Sequence, residues 1–126
     1  MSHLRTCNLG LKYPNTALLQ ATFSELADHY NGRIIHRVSS FGESRSVLLG
    51  LAGDGFERGY GVTIEADGNV IGHGDQWGHT VKMDKFMALI TQTYTRIALM
   101  QTMKARGYAV SQNMTQIGMI LVGERL

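Results

Sequence analysis

The chain has 126 residues, 44% of them hydrophobic, which is the size of one ordinary domain and enough to enclose a single core. Lysine and arginine number 12 against 10 acidic residues, a formal charge of +2, and the basic residues are scattered, so the concentrated basic face of a dedicated nucleic-acid binder is missing and that class of partner is disfavoured. The one cysteine, Cys7, excludes an intrachain disulfide and a multi-cysteine zinc site, and no apolar run approaches the ~18 to 20 residues that cross a bilayer.

Cys7 falls in an expected first strand, where a free cysteine behaves as a small buried hydrophobe. From Asn15 to Tyr30, Leu18, Leu19, Phe23, Leu26, Ala27 and Tyr30 recur at three- and four-residue steps, the spacing of one helical face. Pro14 and Asn15 stand where such a helix begins, and Asn31-Gly32 supply residues that accept a left-handed C-terminal cap. Short runs rich in valine and isoleucine follow at Arg33 to Val38, Ser46 to Leu51, Tyr60 to Ala66 and Asn69 to His73, and these read as strands. Asp67-Gly68 predicts a type I′ hairpin between the last two, and Gly53-Asp54-Gly55 marks another reversal. Most of the 15 glycines fall at such turns, and no phosphate-cradling GxxxxGK[ST] or GxGxxG pattern is present.

A second, longer helix is expected from Val81 to Arg106, with Met83, Phe86, Met87, Ile90, Tyr94 and Ile97 descending one face. Asp84 in its first turn and Lys104 and Arg106 in its last suit the helix dipole, and Gly107 is placed for the C-terminal cap. Gln92 and Arg96 are expected to project away from the apolar stripe. Tyr108 to Ser111 and Ile117 to Val122 read as closing strands around a polar turn, the last of them nearly all apolar and expected to be well covered. The order is strand, helix, four strands, helix, two strands. Two helices cannot cover both faces of so large a sheet, so the expected fold is α+β, a mainly antiparallel sheet with both helices on one face. The apolar final strand favours a homo-oligomer. The chain opens without a charged and then apolar leader pattern, and a cytoplasmic location is expected.

Asp75-Gln76-Trp77-Gly78, Phe86, Thr91-Gln92-Thr93-Tyr94 and Gly107-Tyr108-Ala109-Val110, in that order after Met1-Ser2-His3, resemble the conserved hypothetical chloroplast reading-frame thirty-five family of plastids, cyanobacteria, bacteria and phages. The chain departs from the family pattern where Thr95 follows Tyr94 and Thr93 precedes it. The resemblance implies an α+β domain and brings no activity, catalytic residue or cofactor with it.

The polar cluster that attracts a functional reading is His73-Gly74-Asp75-Gln76-Trp77-Gly78-His79, two imidazoles and a carboxylate around a loop between strand and helix. With His36 as a third imidazole, His73, Asp75 and His79 have the chemistry of a metal-dependent hydrolase that activates water, although their spacing matches no standard zinc signature. The plainer expectation is that Asp75 caps the loop or the next helix, Trp77 plugs the core, and the histidines lie on the surface. Arg37 and Arg45, if they point with His36 and His73, make an anion-binding surface; their plainer role is cross-strand pairing with Glu43. The leading expectation is a binding or interaction module without a cofactor, taking an anionic small molecule or a protein partner through His36, Arg37, Arg45, His73, Asp75, Trp77 and His79. The hydrolase and nucleic-acid binding stand as alternatives.

Overall fold

A computed structural model describes residues 4–75, 77–114 and 119–125, those from 108 onward by backbone alone. The elements are β1 (Arg5–Lys12), α1 (Thr16–Tyr30), β2 (Arg33–Ser40), β3 (Glu43–Gly53), β4 (Phe56–Ile64), β5 (Asn69–Gly74), α2 (Met83–Ala105), β6 (Tyr108–Met114) and β7 (Met119–Arg125), the expected order. Five strands form one antiparallel sheet in the order β1-β5-β4-β3-β2, with two helices, which is the expected α+β class. Among the described residues β6 and β7 pair only with each other, as a separate two-stranded sheet that touches α2. The expected covering of the last strand concerns side chains outside the described set.

Local chemistry sets the helix ends. The Asn15 side chain accepts the Leu18 N–H at 3.1 Å, filling one of the donors a helix start leaves open. Asn31 closes α1 in the left-handed region (φ 50°), and the Gly32 N–H returns to the Ala27 carbonyl at 2.8 Å. In α1 Leu19, Phe23 and Leu26 are buried, and in α2 Met83, Phe86, Met87 and Ile90; both stripes follow the three-to-four-residue period and pack on the sheet with Leu49, Leu51, Phe56, Tyr60, Val62 and Val70. At the centre Phe86 meets Phe56 and Tyr60, each at 5.3 Å between ring centroids.

Two residues of the Thr-Gln-Thr-Tyr run brace the helices. The Tyr94 hydroxyl accepts the Asn15 N–H at 2.9 Å, tying the middle of α2 to the start of α1, and the Thr91 hydroxyl lies 3.3 Å from the Met87 carbonyl and 3.4 Å from the Leu9 carbonyl on β1. Arg96 corrects the sequence expectation. It is buried, and its guanidinium pairs with Glu25 of α1, because the stripe of α2 drifts from the sheet toward the other helix after Ile90.

The β4–β5 reversal falls at Asp67-Gly68, but by a different turn. Only Gly68 has positive φ, and its N–H bonds the Glu65 carbonyl at 2.9 Å, so the loop is a type I turn followed by a left-handed glycine.

The face opposite the helices has a smaller apolar layer. Gly50 and Gly61 stand opposite one another on β3 and β4, leaving a floor of bare backbone; a Cβ on Gly61 would lie 2.7 Å from a Val47 methyl carbon. The distal half of the β2–β3 hairpin folds across this floor. Val38 and Val47 are buried there, outside the main core, and β2 reaches β4 and β5 although β3 lies between.

Candidate functional site

The site forms where the end of β5, the start of β4 and the tip of the β2–β3 hairpin meet. Asp75, just past β5, accepts the Trp77 N–H on Oδ1 at 2.9 Å, the tight turn that aspartate makes two residues ahead of itself. Its Oδ2 lies 3.6 Å from Nη2 of Arg58 on β4, and the same Nη2 donates to the Trp77 carbonyl. One guanidinium and one carboxylate thereby fix both backbone groups of Trp77. The next residues are tied as firmly: the Arg58 N–H donates to His79 Nε2 at 3.4 Å, the Val81 N–H to the Gly55 carbonyl at 3.0 Å, and the Tyr60 hydroxyl to the Val81 carbonyl at 2.7 Å.

Tyr60 connects core and loop. Its ring stacks on Phe56 and meets the His79 ring edge-on at 5.2 Å. Burial, and after it the Asp75 carboxylate, push its phenol far above the ordinary value, so it remains a proton donor to Val81. His79 is 2% exposed, and burial followed by the Arg58 charge pulls its imidazole below the ordinary value, so the ring is neutral at pH 7. Among the described residues, Arg58 Nε, Asp75 Oδ2 and His79 Nδ1 are buried without a hydrogen-bond partner.

Trp77 stands outside this frame. It is 71% exposed, not the core plug the sequence suggests, because the loop that carries it is closed by backbone contacts beneath the indole. Phe41, at the hairpin tip and 68% exposed, has its ring centroid 4.8 Å from the Arg58 guanidinium, within cation–π range. One half-buried arginine thus lies under the Phe41 ring and holds the backbone of the loop that carries Trp77.

The remaining candidates are dispersed. His73 is buried, not on the surface, and sits on the sheet face away from the helices, its Nε2 2.7 Å from the Thr63 hydroxyl. His79 instead packs on Tyr60 in the helix-side core, so the sheet separates the two imidazoles. His36 is exposed on β2 with Nδ1 3.0 Å from the Leu48 carbonyl. Among the described residues no three or more His, Cys, Asp or Glu side chains converge as a metal-ligand set, and the His36, His73, Asp75 and His79 constellation is not assembled. Arg37 spends its fork on the Ser44 and Ser46 hydroxyls, both at 2.9 Å, and Glu43 accepts the Leu4 N–H, so the expected pairing of Glu43 with an arginine is replaced. Of the imagined anion surface, Arg45 and His73 alone influence one another, the Arg45 charge holding the imidazole down after burial does.

Sequence reading missed Arg58, Tyr60 and Phe41. Phe41 carried a usable signal: it stands in a two-residue turn with Gly42 among serines, where turn chemistry asks for no aromatic group. Arg58 and Tyr60 had none, since their roles depend on the β4–β5 register.

Fold and site together define an α+β domain with an open five-stranded antiparallel sheet and an arginine-centred aromatic surface at one end. No family model, curated protein or solved structure matches the chain.

Proposed function

We propose that the protein is a non-enzymatic interaction module, a member of the reading-frame thirty-five family, that docks a partner on the surface made by Phe41, Arg58 and Trp77. The observation that carries this reading is the pair of exposed aromatic residues at Arg58, Trp77 on a pinned loop and Phe41 at the hairpin tip. Tryptophan and arginine are enriched among the residues that dominate binding energy at protein interfaces, tryptophan because its large rigid surface loses little entropy on docking. An indole left 71% in water, on a loop whose backbone is pinned from below, has such a preorganised form. Arg58 and Asp75 each spend one bond on the Trp77 backbone and His79 accepts the Arg58 N–H, which supports a positioning role for these residues. The hydrolase alternative loses its support with the separation of His36, His73 and His79.

The test places a photoreactive benzophenone side chain at position 41 and irradiates the protein in its producing cells. One discrete adduct, lost in Trp77→Ala, is expected. Adducts at position 41 that survive Trp77→Ala, or that do not differ from those formed at exposed position 28 on α1, would overturn the reading.

A further inference from the structure

We propose that the distal half of the β2–β3 hairpin is a pH-responsive flap, released from the sheet when the buried imidazole of His73 takes up a proton. The geometry of the hairpin carries the idea. Among the described residues β3 pairs with β4 from Leu49 to Gly53, and from Glu43 to Ser46 with β2 alone. The β2–β3 register shifts between Ile35 and Arg37, where His36 bonds the Leu48 carbonyl, and this irregularity is the natural hinge. Beyond it, among the described residues, no backbone ladder holds the hairpin to the sheet. It is fastened by the Leu4–Glu43 bond, by Phe41 on Arg58, by Val47 resting on the glycine floor and by the burial of Val38.

His73 lies beside that floor, paired in register with Gly61 on β4 and Thr6 on β1, and is 2% exposed. Its Nδ1 has no partner among the described residues, and Thr63 occupies its Nε2. Among the described residues, the charges acting on it are Arg45 from the hairpin and, opposing, Glu65 from the β4–β5 turn; Thr6 and Thr63 on the neighbouring strands are neutral. A proton on the ring thus creates a buried cation whose second N–H has no acceptor and which repels Arg45. The hairpin is the side that yields, since opening it gives His73 water and separates the two cations. Burial and Arg45 lower the His73 pKa in the closed state, so opening is favoured as pH falls below the ordinary histidine value. On the interaction reading above, opening also carries Phe41 off Arg58 and dismantles the docking surface; this consequence rests on that reading, the flap does not.

Hydrogen exchange on the full chain, compared at about pH 7.5 and about pH 5 after correction for intrinsic rates, tests it. A two-stranded hairpin off its sheet is marginally stable, so its own β2–β3 ladder frays on release and exchange over residues 37–48 is expected to rise toward low pH, by up to about tenfold for each unit separating open and closed pKa values, while residues 49–53 and both helices stay protected. His73→Gln, which keeps a partner for Thr63 but does not titrate, is expected to abolish the rise, and His79→Gln to leave it. Should His73→Gln fail to fold, Arg45→Gln decides, because relief of the repulsion shrinks the rise. Unchanged protection in the wild type, a rise that persists in folded His73→Gln or undiminished in Arg45→Gln, or its loss in His79→Gln would overturn the flap. Crosslinking at position 41 reads the docking surface separately, so either idea fails alone.

Discussion

Replacing Asp75 with asparagine separates the charge of the loop from its shape. The asparagine oxygen still accepts the Trp77 N–H, so the turn survives, while the ion pair with Arg58 is lost. Two unit charges at 3.6 Å attract by about 4–5 kcal/mol at an effective dielectric of about 20. Arg58 keeps 22% of its side-chain surface in water and Asp75 sheds its hydration on burial, and both reduce the net value, to about 1–3 kcal/mol. Asp75→Ala removes the Trp77 acceptor as well and is expected to cost about 1 kcal/mol more. The assay is urea unfolding followed by circular dichroism for Asp75→Asn, Arg58→Met and the double variant. A coupling of about 1–3 kcal/mol is expected from that cycle. A coupling under about 0.5 kcal/mol, the value of an exposed pair, would refute the claim that this contact holds the loop.

Three further outcomes follow from the same contacts. Phe86→Ala, which empties the ring cluster shared with Phe56 and Tyr60, is expected to destabilise the fold by about 3–5 kcal/mol in the same denaturation assay. Gly61→Ala drives a methyl into Val47 and the Leu49 carbonyl and is expected to cost about 1–3 kcal/mol, whereas Gly72→Ala meets only the flexible end of Met87 and Leu9 and costs less; equal losses would remove the glycine floor from the account. His73 and His79 both have folded pKa values below the ordinary one, so the unfolded chain binds more protons: their contribution is complete above about pH 6.5 and declines as pH falls toward the folded values. Urea midpoints across that range are expected to fall on the acid side, and less so in the His73→Gln, His79→Gln double variant.

The parts of the fold legible in the sequence were those with period and punctuation. α1 announced itself by Leu19, Phe23 and Leu26 between Asn15 and Asn31, and the core stripe of α2 by Met83, Phe86, Met87 and Ile90. The run from Ser39 to Arg45 lay between the expected strands because it lacks apolar alternation, yet Ser39 and Ser40 pair with Ser44 and Glu43 around the Phe41-Gly42 turn: the hairpin projects past the sheet, where Val38 and Val47 are its buried apolar residues. Arg96 misled because a charged residue on a helix reads as solvated until the partner that neutralises it, here Glu25 on the other helix, is known. Within the site, the turn made by Asp75 was legible, since aspartate bonds two residues ahead by local geometry alone. Its long-range partner was not, because Arg58 reaches Asp75 only through the pairing of β4 with β5.

The two faces of the sheet divide the work unequally. On the helix side, rings and aliphatic chains from α1, α2 and three strands interlock, and Tyr60 transmits that rigidity to the loop through its bond to Val81 and its contact with His79. On the far side, bare glycine backbone, two valines and an imidazole with one vacant nitrogen support a hairpin that has lost its ladder to the sheet. Local opening follows the weaker packing, so the far side opens at a lower free energy than global unfolding. Phe41 belongs to the weak side and Trp77 to the strong one, and Arg58 joins them. On the docking and flap proposals, a surface assembled from one fixed and one releasable aromatic is complete only while the hairpin is closed, and the stability of the hairpin, rather than that of the core, then sets how much of the protein is competent to bind.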